Sequence, residues 1–157
     1  MRKNRLLLTA AWVNFVLAAG HIVIILAGPD AYRLAGAGEE MARMAAAGSV
    51  YPALVTGLIA CLLFVASLYA LSGAGVVKPL PMVQPVLAGI TLVYCSRGIA
   101  GLLLLLASGH ELPWTPAFIL VSSSVCLVVG LVHLAGVWRG WGQFRPQSII
   151  GSTLSGY

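Results

Sequence analysis

Residues Pro85–Ala107 read PVLAGITLVYCSRGIAGLLLLLA, an apolar run broken by a single charge, Arg97. A guanidinium held in mid-bilayer costs roughly 2.5–3.5 kcal/mol on insertion scales. A lipid-buried position 97 therefore requires either a partner or a purpose. Whether this stretch lies in a membrane decides the fold, and it also marks where a function would sit.

The rest of the chain answers the first question. Of 157 residues, 60% are hydrophobic and only 8% charged, against about 25% charged in ordinary soluble domains. Four runs are long enough to cross a bilayer: Leu6–Ala27, Val50–Leu71, Met82–Ala107 and Pro116–Val137. A helix of about 22 residues spans about 33 Å, and a hydrocarbon core is about 30 Å thick. Lipid offers no partners for backbone amides, so the spans must be helices or barrel strands, and the alternation of a barrel strand is absent. The expected fold is all-α: an integral membrane four-helix bundle over residues 1–145, with a flexible cytoplasmic tail over 146–157. Basic Met1–Arg5 followed by an apolar run resembles a secretory signal. The run nevertheless continues through Asn14 and His21 to Ala27, beyond the usual core of about 7–15 residues, so the first span is expected to remain as an anchor.

Charge placement orients the bundle. With loops assigned alternately, one side receives Arg2, Lys3, Arg5, Lys78, Arg139 and Arg145, and the other only Arg33 and Arg43. The positive-inside bias puts both termini in the cytoplasm. Asp30, Glu39, Glu40 and Glu111 then fall on the outer side. The net charge of +5 is thus an orientation signal. Its basic residues are dispersed and form no nucleic-acid-binding patch. A fixed bias of this kind also argues against a dual-topology exporter, and no span holds an Asp or Glu for proton coupling.

The outer loop Gly28–Ser49 is the largest extramembrane piece. Gly28-Pro29-Asp30 should stop the first helix and turn the chain. Glu39–Ala47 reads as a short interfacial helix with Glu39 and Arg43 paired at i,i+4. The alternative makes it a lid whose Glu39 or Glu40 reaches Arg97. Tyr51-Pro52 and Trp114-Thr115-Pro116 open the second and fourth spans alike, with an aromatic at headgroup level and proline in the first turn. Trp138, Trp141 and Phe144, interleaved with Arg139 and Arg145, form an interfacial anchor at the opposite side.

Among polar groups inside spans, Asn14, Ala18 and His21 share one face of the first helix, and Tyr94 lies one turn from Arg97. The simplest arrangement points His21 and Arg97 into a common interior open to the outer loop, because polar groups facing lipid stay unpaired. In the functional reading, Arg97, His21, Asn14 and Tyr94, with Glu39 and Glu40 above them, line a polar cavity that meets an anionic or lipidic ligand. In the structural reading, Arg97 pairs with a loop acid or caps helix-end carbonyls while His21 and Asn14 bond across helices. Ser122, Cys126 and Gly130 at steps of four mark a packing face, with His133 beyond them. Cys61, Cys95 and Cys126 stand on separate helices without C-x-x-C spacing or clustered histidine, so neither a metal nor a redox cofactor is expected.

The four-span plan, the region from Gly20-His21 to Gly28-Pro29-Asp30, and the Tyr69-Ala-Leu-Ser-Gly-Ala-Gly75 exit of the second helix resemble small DoxX-like bacterial inner-membrane proteins. The resemblance implies a multi-pass protein of the bacterial plasma membrane and assigns no catalytic residue. The expected function is non-enzymatic binding of a small anionic or lipidic ligand around Arg97. The alternative is an accessory subunit docked on a membrane-protein partner or on a second copy. An enzyme using His21 or the thiols ranks last.

Overall fold

The computed structural model describes residues 3–107 and 116–143. Four long helices are apolar enough to cross a membrane: α1 (Arg5–Ala27), α4 (Tyr51–Gly73), α5 (Val83–Ala107) and α6 (Pro116–Gly140), with α2 (Pro29–Leu34) and α3 (Glu39–Ala46) between the first two. At 1.5 Å per residue the long helices measure about 35–38 Å, enough for the hydrocarbon core and part of each interface. A single 3₁₀ turn, Trp141–Gln143, follows α6. Glu111, Trp114, Thr115, Phe144, Arg145 and the segment after Pro146 lie outside the described residues.

The chain is a multi-pass membrane protein, and its burial pattern follows from that solvent. Large apolar side chains face outward, with Leu26 81% and Leu106 82% exposed. The interior combines a few large residues, Leu7, Leu87, Ile119, Val129 and Val137, with Ala10, Ala11, Ala18, Ala60, Ala66 and Ala70 and with Asn14, Thr56, Ser67, Thr91, Ser123 and His133. Lipid tails are as apolar as leucine, so burying leucine gains little. Association relies on close backbone approach and on hydrogen bonds between helices.

α1 packs against α4 and α6, α5 packs chiefly against α6, and a lighter α4–α5 contact closes the ring. Across the α1–α4 seam Ser67 Oγ donates to the Ala11 carbonyl at 2.8 Å. The α5–α6 seam is set by glycine. A Cβ on Gly98 would lie 2.8 Å from Leu127 N and 2.9 Å from its Cα, and one on Gly130 would lie 2.8 Å from Cys95 Sγ.

At the end where α1 begins, Asn4 joins three helices. Its side chain accepts from Leu7 N (3.3 Å) as the N-cap of α1, and its Nδ2 donates to the Gly136 carbonyl of α6 (2.8 Å). Its backbone N donates to the Ala74 carbonyl just past α4 (3.2 Å). Leu7, Ala10, Ala11, Ala70, Ala74, Leu87 and Val137 pack beside it as the main apolar cluster.

At the other end Gly28, with φ +82°, closes α1 through its N–H to the Ile24 carbonyl and opens α2, whose first residue is Pro29. The expected turn is therefore a turn plus a helix. Proline at N1, Asp30 in the first turn and Arg33 in the last suit helix geometry, but six residues are too few to display a period. The short helix expected at Glu39–Ala47 forms over Glu39–Ala46.

The glycine seam makes a sharp test. Gly98→Ala should cost about 1–3 kcal/mol, because Leu127 backbone cannot yield without moving α6. Gly89→Ala, which meets nothing within 4 Å, should be neutral or stabilising by up to about 1 kcal/mol. Denaturant-titrated unfolding in mixed micelles distinguishes them, and equal losses at both positions would contradict the seam.

Candidate functional site

Three polar side chains meet in the middle of the bundle, one each from α1, α5 and α6. Asn14 and His133 are fully buried, and Tyr94 is half-buried. The Tyr94 hydroxyl donates to Asn14 Oδ1. Asn14 Nδ2 donates to the Ala10 carbonyl (2.8 Å) and lies 3.3 Å from His133 Nε2. His133 Nδ1 lies 3.0 Å from the Val129 carbonyl.

Bond polarity assigns the protons. The Val129 carbonyl can only accept, so Nδ1 carries a hydrogen, and the Asn14 amide can only donate, so Nε2 is bare. The histidine is therefore the neutral Nδ1–H tautomer. The Asn14 amide orientation is fixed in turn by Ala10: reversing it would set its oxygen against a carbonyl that can only accept.

The Tyr94 and His133 rings stack, with centroids 5.6 Å apart and an interplanar angle of 23°. Gly130 permits this approach, since a Cβ there would lie 3.1 Å from Tyr94 Cβ. With each of these three side chains partnered, the cluster fastens α1, α5 and α6 together and fills the centre of the bundle.

Arg97 lies outside this cluster. It is exposed on the flank of α5, and its Nη1 donates to Ser123 Oγ of α6 at 3.3 Å. A Cβ on Gly101 would lie 2.7 Å from Arg97 Nη1 and 2.0 Å from Ser123 Oγ, so the guanidinium lies over glycine one turn further on. Helical side chains ordinarily lean towards the N-terminus of their helix. Arg97 runs the opposite way, towards the end of the bundle that carries α2 and α3. Ten residues separate Arg97 from the end of α5 at Ala107, about 15 Å of helix, and leaning over Gly101 brings the charge within about 9 Å of that end. Among the described residues the ion pairs join Arg33 to Asp30 and Glu39, and Arg43 to Glu40, and none involves Arg97.

His21, expected beside Arg97, bonds within its own helix, its Nδ1 lying 2.7 Å from the Leu17 carbonyl. Glu39 and Glu40 are engaged in the loop. Arg33 forks onto Glu39 through Nε (3.0 Å) and Nη2 (2.9 Å) and holds Asp30 through Nη1 (2.8 Å). Arg43 takes Glu40, three residues before it, in place of the expected Glu39, because the fork from α2 already occupies Glu39. The hydrogen bond from Arg33 holds the Glu39 carboxyl below the usual glutamate range, and Glu39 and Asp30 together raise Arg33. A carboxyl with a lowered pKa stabilises the loop above the ordinary glutamate range and loses that effect only on acidification. Both groups are fully exposed, so the pairing organises the loop and adds little to stability.

A cavity of about 730 Å³ lies where the α2–α3 elbow meets α6, lined by Arg33, Gly36, Glu39, Phe118, Val121 and Ser122 among others. A second, of about 450 Å³, lies between α5 and α6 towards the opposite end. Arg97 lines neither. Cys61 is exposed, Cys95 and Cys126 are half-buried, and all three are free thiols.

Of the residues singled out from sequence, the structure brings Asn14 and Tyr94 together and leaves Arg97, His21, Glu39 and Glu40 each with other partners. The two residues that complete the picture, His133 and Ser123, are both on α6. Ser123, one place after the Ser122 of the expected packing face, is the serine that is buried. Compared with protein-family models, with curated proteins and with solved structures, the chain matches none.

If the central cluster is bonded as described, Tyr94→Phe should cost roughly 0.6–1.7 kcal/mol, the range for hydrogen bonds inside membranes. Asn14→Ala should cost more, since it strands both Tyr94 and His133. The double variant should cost less than the sum because the two changes share one bond. Strict additivity in unfolding titrations would show that the bond is absent.

Proposed function

We propose that this protein is a small multi-pass membrane protein that binds an anionic or lipidic group at Arg97, approached from the side of the bundle. One observation carries the reading: a permanently charged guanidinium within an apolar span has a single neutral partner, Ser123 Oγ, among the described residues. Arginine presents five N–H donors and does not lose its charge. Inside hydrocarbon the remaining donors call for an acceptor, and a phosphate or carboxylate supplies two in the matching fork geometry.

With the bundle centre filled by Tyr94, Asn14 and His133, the ligand approaches laterally along the α5–α6 flank, where Gly101 and Ser123 hold the guanidinium in place. This differs from a central pocket shared with His21, but the chemistry of recognition is the same. An acidic side chain of a membrane-protein partner could occupy the same place, in the manner of an accessory subunit.

The charge bias supports an orientation with the termini and Lys78 in the cytoplasm and the α2–α3 segment outside. Together with the DoxX-like layout it favours a bacterial plasma membrane, with α3 lying on the outer interface. In intact cells, a membrane-impermeant maleimide should label a cysteine introduced at Ala35 and spare one introduced at Lys78, in a background lacking the native cysteines. The reverse pattern would invert the bundle.

For the site, Arg97→Ala should remove one bound phosphatidylglycerol per chain in native mass spectrometry, with melting temperature and yield nearly unchanged. Arg97→Lys should fall between. A collapse of yield in Arg97→Ala would instead make the residue structural. Stoichiometric co-purification of a second membrane protein, lost in the same variant, would identify a protein carboxylate as the occupant.

A further inference from the structure

The second cavity lies on another part of the α5 surface. Ala88 and Thr91 of α5, with Leu134, Val137 and Trp138 of α6 and Trp141 just beyond it, line an open groove of about 450 Å³. Nine residues separate Ala88 from Arg97, which places them on opposite sides of α5 and about 13 Å apart along its axis. The groove is therefore separate from the position assigned to the ligand above.

Its wall is almost wholly hydrocarbon. The one side-chain hydroxyl, Thr91 Oγ1, is spent on the Leu87 carbonyl of its own helix at 2.7 Å. The small side chains of Ala88 and Thr91 leave the hollow, and the larger Leu134 and Trp138 flank it. Neither Trp138 nor Trp141 has a hydrogen-bond partner for its indole N–H among the described residues, and Trp138 is 81% exposed. Indoles at the end of a span sit at headgroup level, with an apolar body and one donor for a polar group.

The charge around this end is of one sign. Lys3, Arg5, Lys78 and Arg139 belong to it, whereas the described acids Asp30, Glu39 and Glu40 are all in the α2–α3 segment at the other end. A hydrocarbon slot under two free indole donors, at an end whose described charges are all basic, matches a molecule with an acyl chain and an anionic head.

We propose that this groove is a phospholipid site: one acyl chain of an anionic phospholipid lies between α5 and α6 against Ala88, Thr91 and Leu134, with its phosphate level with Trp138, Trp141 and Arg139. Its volume falls in the range of pockets that enclose small ligands, about 300–1,000 Å³, and a concave slot holds a chain on more sides than the convex bundle surface does. The site stands apart from the Arg97 reading, because it uses the other end of the bundle and none of the same side chains.

Photocrosslinking of the full chain in nanodiscs tests it. With a diazirine-bearing phosphatidylglycerol, labelling should concentrate on the peptide containing Leu134–Trp141. Unlabelled phosphatidylglycerol should compete at least fivefold better than phosphatidylcholine with the same chains. Ala88→Phe, which fills the slot, should reduce that labelling at least fivefold, and Trp138→Ala, a change at an exposed position, should reduce it as well should Ala88→Phe fail to fold. Labelling spread evenly over the four spans, equal competition by phosphatidylcholine, or undiminished labelling in both variants would overturn the proposal and leave only bulk lipid contact.

Discussion

In a bilayer, clustering leucines gains almost nothing, and the helices of this protein are held by what remains: backbone proximity and polar bonds. The contact of Gly98 with the backbone around Leu127 is the clearest instance. It brings α5 against α6 closely enough for Tyr94 to stack on His133 and to reach Asn14 on α1. A wider seam would lose the stacking and the hydrogen-bond chain together. Alanines along α1 and α4 play the matching part on the other side of the bundle, where the Ser67 hydroxyl is close enough to bond the Ala11 carbonyl.

The same constraint separates two kinds of polar residue. Asn14, His133 and Ser67 are buried, partnered and neutral, so lipid never meets their polar atoms. Arg97 and Ser123 form a different arrangement, with a charge on the flank that, among the described residues, bonds one hydroxyl and lies over the gap that Gly101 leaves. An interior polar cluster stabilises by being complete, whereas a flank cation held, among the described residues, by one hydroxyl keeps donors for an acceptor beside it. The α2–α3 segment shows a third case: its charges are paired with one another in an exposed loop, where each pair is weak and their shared geometry matters more than their energy.

The four spans were legible from hydropathy and length alone, because that signal needs no knowledge of neighbours. The rotation of each helix was not. α1, α4, α5 and α6 are apolar on nearly every face, so no stripe points inward as it would in a soluble helix. The informative marks are small residues, and these are ambiguous: Ser122 and Ser123 are adjacent, yet only Ser123 is buried. Asn14 and Tyr94 stood out as polar groups in apolar runs, but their meeting depends on helix packing across 80 residues of sequence. α2 escaped notice because six residues cannot show a period, and the pairing of Arg33 with Glu39 depended on α2 being there.

Asn4 has a consequence for how the chain is made. Its side-chain amide donates to the Gly136 carbonyl, 132 positions later in the chain, so that bond forms only after α6 is in place, whereas the cap from Leu7 N to Asn4 Oδ1 closes locally. Until then the cap alone orders the start of α1, and the α1–α6 contact lacks its polar tie. The docking of α1 on α6 at this end is thus a late event, joining segments that lie far apart in the sequence.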